Sequence, residues 1–154
     1  MTLGKFVSDL STGDVFESVV YEMTPFVVRE YCHGVEETWE GFHAPSPESN
    51  DIQVAAPTLA HIEKIRLLKK NCPGGAGPTA RIHFEYHAKH HEAIPAGTMI
   101  ETSGKVTERI VKRGREYLHI EIEVRSQLTG QLFTSYRDTA ILSFERKSEQ
   151  RGLS

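Results

Sequence analysis

Apolar and polar residues alternate along the C-terminal half of this chain. In residues 81–89 and again in 118–125, every second side chain is apolar or aromatic and the side chains between are polar. A period of two predicts half-buried antiparallel strands. Residues 98–111 and 132–144 predict two more strands of the same kind. Gly-containing turns are predicted between them at residues 112–115 and 128–131.

The N-terminal half has a different pattern. Residues 14–22 are rich in β-branched and aromatic side chains and predict a first strand. Thr24 and Pro25 form a helix-start signal and predict a short helix over 25–33. Residues 35–53 contain repeated Gly, Pro, Ser and Asn and predict a long loop, a kind of segment that is often functional. Residues 55–71 predict the longest helix, with its apolar side at Leu59, Ile62, Ile65 and Leu68.

The predicted order is therefore strand, short helix, loop, long helix and a meander of four strands. A single antiparallel sheet can wrap one such helix and leave its other face in solvent. This order predicts an α+β fold in one domain over residues 1–154, with its core at about 13–146.

Composition narrows the possible partners. Charged residues make up 25% of the chain, hydrophobic residues 38%, and the formal net charge is -3, which argues against nucleic acid and membrane partners. No apolar run has the length of a membrane span, and a cytoplasmic protein is expected. Cys32 and Cys72 lie far apart in sequence, and we expect two free thiols. His83 and His87 would lie about 13 Å apart on a strand, so no metal is expected, and no cofactor motif is present.

Four segments in this order resemble the MaoC-like branch of the hot-dog proteins. They are "TPFVVREYCHGV" at 24–35, "VAAPTLAHIEKI" at 54–65, "RIHFEYHAKHHEAIPAGTMI" at 81–100 and "KRGREYLHIEIEV" at 112–124. The resemblance runs over roughly residues 13–144. It implies a hot-dog fold, in which the sheet wraps a central helix. It also implies hydratase or dehydratase activity on thioesters of CoA or acyl carrier protein, and a dimer or larger oligomer.

The resemblance also implies a place for the reacting groups. The family's hydratase motif is an Asp, four residues and a His in the loop before the central helix. Here His43 has that spacing, and Thr38 stands at the Asp position. We predict His43 as the general base and Glu37 as its carboxylate partner. The Thr58 N–H at the start of the central helix is predicted to hold the thioester carbonyl.

Other residues are candidates for binding the substrate, and each has an ordinary structural alternative. Thr38, Trp39 and Phe42 in the loop can cap an acyl tunnel or pack the loop onto the sheet. The helix start at Ala56 and Pro57 can bind a carbonyl or only begin the helix. The remaining candidates are two histidines facing a pocket and two hairpin arginines suited to phosphate: His61, His83, Arg113 and Arg115.

Two further functions remain open at this point. Thr38 at the Asp position is compatible with an acyl-binding subunit that lacks the catalytic pair and works beside an active partner in a heterodimer. A thioesterase on the same fold would need a carboxylate to activate water, and Glu63 on the central helix is the candidate. An open sheet edge favours homodimers through edge-to-edge pairing.

Overall fold

The computed structural model describes residues 4–43, 51–77 and 81–143. In these ranges, two α-helices, α1 (Pro25–Gly34) and α2 (Leu59–Asn71), and five strands form the fold. The strands are β1 (Val19–Met23), β2 (Ile82–His90), β3 (Thr98–Lys112), β4 (Arg115–Ser126) and β5 (Leu132–Ser143), and short 3-10 turns lie at Val7–Asp9 and Glu40–Phe42. Within the described ranges, no helix is both long and apolar enough to cross a bilayer.

The strands form one antiparallel sheet in the order β1-β3-β4-β5-β2. Strands β3 and β4 form a long hairpin whose two turn residues, Arg113 and Gly114, have φ angles of 53° and 72°. Both residues are in the left-handed region, as a two-residue hairpin turn requires. β1 and β2 are the two edges of the sheet. The first predicted hairpin turn is confirmed, and β3, β4 and β5 form a meander as predicted. The predicted meander of four strands was wrong for β2, which pairs with β5 rather than with β3.

Helix α1 begins as predicted. The Thr24 side chain accepts a hydrogen bond of 3.1 Å from the Val27 N–H, and Pro25 occupies the first helical position. Both features satisfy or remove donors that a helix start leaves unpaired.

Two predicted boundaries were wrong. Helix α2 begins at Leu59 rather than at residue 55, because Val54 pairs with Pro95 and the Ala55 N–H donates to the Ile94 carbonyl at 2.8 Å. Strand β1 begins at Val19 rather than at residue 14. The Glu17 N–H donates to the Asn71 side chain at 2.8 Å, so residues 14–18 do not continue the ladder.

The predicted apolar side of α2 was also wrong in part. Ile65 is 53% exposed, whereas Glu63 and Lys64 lie on the buried face beside Leu67. Two ionisable groups thus occupy positions that period reasoning assigns to apolar residues. Buried charges are costly unless they are paired, so each of these two side chains needs a partner in the core.

Strand β2 departs from its predicted alternation. The register against β5 shifts by a bulge between His83 and Glu85. A one-residue shift reverses which face the side chains occupy. Phe84 accordingly is 55% exposed and packs its ring against Tyr117 at 5.5 Å, while His83 and Tyr86 both face His61 of α2.

Candidate functional site

A cavity of about 320 Å³ lies beside the start of α2. Its wall comes from three parts of the chain: the loop after α1, the extended segment before α2, and the end of β2 with the residues that follow it. The lining residues are Trp39, Phe42, Val54, Ala55, Ala56, Pro57, His90, His91, Glu92, Ala93, Ile94 and Thr134. The lining is largely apolar with a few polar groups, as small-molecule sites commonly are.

The buried Gln53 side chain fastens the loop over this cavity. Its Nε2 donates to the Phe42 carbonyl at 2.9 Å and to the Pro25 carbonyl at 3.4 Å. The Val54 N–H donates to the Gly41 carbonyl at 2.9 Å. Trp39 and Phe42 meet edge to face, with ring centroids 4.6 Å apart. The loop therefore presents both predicted aromatic side chains to the cavity.

Amide donors lie at the start of α2: Ala56 and Pro57 are in the cavity wall, and Thr58 follows them directly in the chain. Pro57 has no N–H, and within the described part of the chain neither the Ala56 N–H nor the Thr58 N–H donates a hydrogen bond. The Thr58 hydroxyl is 2.7 Å from the Tyr31 hydroxyl of α1. Unpaired amides at a helix start can bind an oxygen that carries negative charge.

His43 and Glu37 are close to each other through the backbone. The His43 Nε2 lies 3.2 Å from the Glu37 carbonyl oxygen, and the Glu37 carboxylate accepts a hydrogen bond of 2.9 Å from the Trp39 N–H. Thr38 is exposed between them. His43 follows Phe42 directly and is half-buried. It is not among the residues that line the cavity, whereas Trp39 and Phe42 are.

Sequence reasoning missed the ionisable groups at the end of β2. The His90 Nδ1 is 3.3 Å from the Thr134 hydroxyl, and the His91 Nε2 is 3.1 Å from the Ser135 hydroxyl. Glu92 follows them in the cavity wall. Neighbouring residues on a regular strand point to opposite faces. Both nevertheless border the cavity, because β2 ends there.

A second group of ionisable residues lies farther along α2. The buried Asp138 of β5 binds Lys64 Nζ at 2.5 Å and His83 Nε2 at 2.9 Å through the same oxygen, Oδ1. The His61 ring lies beside this pair, with its centroid 5.4 Å from that of His83 and 4.4 Å from that of Tyr86. Predicted residues His61 and His83 are thus brought together, whereas Asp138 and Lys64 were missed.

Burial and nearby charge set the electrostatics of this group. Burial lowers the pKa of His61, and the Lys64 ammonium lowers it further. Burial also lowers the pKa of Lys64, against the opposing effect of Asp138. Ligand atoms of His61, His83 and Asp138 lie within 4.8 Å of one another, a spacing that could hold a metal ion. The Lys64 ammonium already provides a positive charge at the carboxylate, which disfavours a second cation there.

The hairpin arginines lie far from the cavity within one chain. Thr134 of the cavity wall pairs with Val124, near one end of β4, while Arg115 begins that strand. At roughly 3.3 Å per residue the separation is about 30 Å. Arg113 is in the turn that precedes the same strand end. A single protomer therefore does not bring either guanidinium to this cavity.

Glu63, the carboxylate considered for a thioesterase, is enclosed. Its side chain is 1% exposed and lies 3.4 Å from the Arg66 guanidinium. Burial raises the pKa of Glu63 despite that partner. The carboxylate lies under α2 rather than in the wall of the cavity.

The sheet order and the enclosed α2 define a hot-dog fold. No family model matches the chain, and no curated protein matches it in sequence. Solved structures match its fold. The (R)-hydratase PhaJ1 of Pseudomonas aeruginosa is 11% identical with a TM-score of 0.71, over 98% of this chain and 96% of that one.

Two further structures give similar matches. The MaoC-like dehydratase of Rhodospirillum rubrum is 15% identical with a TM-score of 0.69, over 93% of this chain and 99% of that one. A chain of the 3R-hydroxyacyl-ACP dehydratase complex HadBC of Mycobacterium tuberculosis is 13% identical with a TM-score of 0.71, over 84% and 96%. The predicted resemblance in fold to MaoC-like dehydratases and (R)-hydratases is confirmed.

Proposed function

We propose that this chain is a hydratase or dehydratase of 2-enoyl and 3-hydroxyacyl thioesters carried by CoA or acyl carrier protein. The observation that carries the proposal is the apolar cavity at the start of α2, beside the amides of Ala56 and Thr58 that lack acceptors in the described structure. An acyl chain suits the apolar wall. A thioester carbonyl suits the helix-start amides, which would stabilise negative charge as it develops on the oxygen.

The proposed chemistry assigns one role to each predicted catalytic residue. The Thr58 N–H holds the thioester carbonyl. His43 takes a proton from the attacking water in hydration and returns it to the leaving hydroxyl in dehydration. Glu37 acts indirectly, because its carboxylate holds the Trp39 N–H and its carbonyl contacts the His43 ring. Glu37 is therefore a positioning residue in this scheme.

The names of the structural neighbours support the same reaction class. PhaJ1 is an (R)-hydratase, and HadBC is a 3R-hydroxyacyl-ACP dehydratase. At 11–15% identity these neighbours establish the fold alone. The activity of this chain therefore needs an assay of its own.

The test is a steady-state assay of hydration with enoyl-CoA substrates from crotonyl-CoA upward in chain length, and with the matching acyl carrier protein thioesters. We expect turnover by the wild type and a fall in kcat of about 100-fold in His43→Gln. His33→Gln is the matched control, since His33 is exposed in the last turn of α1. Release of free thiol instead of hydration would indicate a thioesterase. Absence of turnover with every substrate would refute the proposal.

One observation favours a second candidate function. Thr38 replaces the expected Asp, and the nearby Glu37 carboxylate binds a backbone amide. A subunit that holds the acyl chain for a catalytic partner would show both features, and HadBC, a complex, has a chain of the same fold. Tight binding of an acyl-CoA without turnover, together with turnover after mixing with a partner chain, would favour this candidate.

We also propose that two copies of the chain associate through β2. This strand is an edge of the sheet, and Ile82 and Phe84 on it are 41% and 55% exposed. Pairing two such edges satisfies their free backbone groups and covers apolar side chains. Sedimentation velocity should show a dimer that Phe84→Glu converts to monomer. Leu128→Glu, in an exposed turn of the β4–β5 hairpin, should leave the dimer intact.

A further inference from the structure

The Asp138 group contains an imidazole held by a buried carboxylate. His83 Nε2 lies 2.9 Å from Asp138 Oδ1, and the His83 side chain is 46% exposed whereas that of Asp138 is 2% exposed. With Nε2 held by the carboxylate, Nδ1 is the ring nitrogen left to exchange a proton. A carboxylate that orients one nitrogen of an imidazole is a common arrangement for general acid–base catalysis.

The bulge in β2 creates this arrangement. A regular strand would place His83 on the face opposite Tyr86, and the shift between His83 and Glu85 puts both on the side of α2. The same shift exposes Phe84. Bulges are common next to active sites because they redirect a side chain. The bulge therefore leaves Phe84 exposed and places His83 on the side of α2.

Charged and polar groups from three elements surround the pair. Helix α2 contributes Lys64 and His61, strand β5 contributes Tyr136 beside Asp138, and Tyr86 and Arg81 come from β2 and the residue before it. The His61 Nδ1 and the Tyr86 hydroxyl are both buried and have no hydrogen-bond partner within the described structure. The Lys64 ammonium donates a hydrogen bond to the carboxylate, and two polar atoms remain available beside it.

The His61 ring, which contacts His83, belongs to the residue one helical turn after the proposed carbonyl site. His61 is in the first turn of α2, and its N–H donates to the Thr58 carbonyl at 3.2 Å. Three residues of helix span about 4.5 Å along the axis. Along β5, Thr134 borders the cavity, and Asp138 lies on the same buried face four residues farther along, a distance of about 13 Å. A thioester whose carbonyl binds the Thr58 N–H can therefore direct its reacting carbons along α2 toward this group.

We propose that His83, positioned by Asp138, is the second acid–base group of the reaction proposed above; the inference rests on that proposed function. In hydration, the water oxygen bonds to C3 and its proton passes to His43. The C2=C3 electron pair moves toward C2, which takes a proton from Nδ1 of protonated His83. One water is consumed, a C–O and a C–H bond replace the π bond, and solvent returns the two imidazoles to their starting states. Dehydration reverses each transfer.

The test compares variants of the full chain in the hydration assay. His83→Gln should lower kcat by at least about 100-fold with little change in KM, since it removes a proton donor and not a binding surface. In His83→Ala, added imidazole should restore part of the lost rate, because the site is open to solvent. A residue with only a structural role would give no such rescue. Asp138→Asn should lower kcat by at least about tenfold and change its pH dependence.

His87→Gln is the matched control. His87 Nε2 also binds a carboxylate, Glu85 Oε1, at 2.7 Å, but the pair is exposed and follows the bulge. We expect its activity to equal that of the wild type. Because Asp138→Asn can unfold the chain, far-UV circular dichroism is recorded for every variant. If Asp138→Asn is unfolded, the variants of the half-exposed His83 decide the outcome alone.

The outcomes separate this inference from the proposed function. If the wild type turns over and His83→Gln stays within about threefold of it, the role of His83 is refuted while the hydratase proposal stands. If the wild type turns over no enoyl thioester, the proposed function fails, and the role of His83 fails with it.

Discussion

Removing the cation beside Asp138 should strongly destabilise the fold. Lys64 and Asp138 are 4% and 2% exposed, and their Nζ–Oδ1 distance is 2.5 Å. Lys64→Met keeps most of the side-chain volume but leaves the carboxylate buried with His83 as its remaining partner. Breaking a buried pair in this way costs about 3–5 kcal/mol. That is a large share of the roughly 5–15 kcal/mol that stabilises an ordinary domain.

Urea unfolding followed by far-UV circular dichroism measures this cost. With a slope of about 2 kcal/mol per molar urea, the midpoint should fall by about 1.5–2.5 M at pH 8. The double variant Lys64→Met/Asp138→Leu should recover most of the stability, because it removes both charges.

A surface pair provides the comparison for this prediction. Lys105 and Glu121 are 59% and 52% exposed and 3.8 Å apart, so Lys105→Met should change stability by less than about 1 kcal/mol. The reasoning would be refuted if Lys64→Met cost no more than Lys105→Met at pH 8. It would also be refuted if the double variant were less stable than the single one.

Three further predictions use other parts of the structure. Burial lowers the pKa of His61 below its ordinary 6.5, so the unfolded state takes up more protons on acidification than the folded state does. The free energy of unfolding should therefore fall as the pH drops through 6.5. An equally steep fall in a His61→Gln variant would contradict this. Gly104→Ala should lower the free energy of unfolding in urea by about 1–3 kcal/mol, because its Cβ would lie 2.9 Å from the Glu121 carbonyl oxygen. Gly114→Ala should lower it by only about 1 kcal/mol, because the φ angle of 72° is unfavourable for alanine. Equal stability of the wild type and Gly104→Ala would disprove the close contact. Trp39→Ala should raise KM for long enoyl thioesters by roughly fivefold and leave kcat nearly unchanged, and an unaltered KM would place the acyl chain elsewhere.

Local chemistry made several elements predictable. Thr24 and Pro25 start α1 because the capping hydroxyl and the missing N–H act within one turn of the backbone. Gly114 lies in the turn that joins β3 and β4, because this turn needs positive φ angles. The aromatic pair of the cavity, Trp39 and Phe42, was found as apolar residues in an otherwise polar loop. In each case the signal and its structural effect lie within a few residues.

Tertiary contacts decided the rest. Helix α2 starts at Leu59 because the amides before it bond across to residues near Ile94. The ionic residues Lys64 and Asp138 are 74 positions apart, and no local pattern shows that they meet in the core.

The bulge in β2 is the clearest case. Residues 81–89 by themselves determined an alternating strand, and the pairing of that strand with β5 determined which side chains face inward. Because successive side chains on a strand point to opposite faces, a one-residue change in register exchanges the buried and exposed sets. Period and turn chemistry are properties of the local chain, whereas register and burial depend on the partner strand, and the position of His83 against Asp138 follows from the latter.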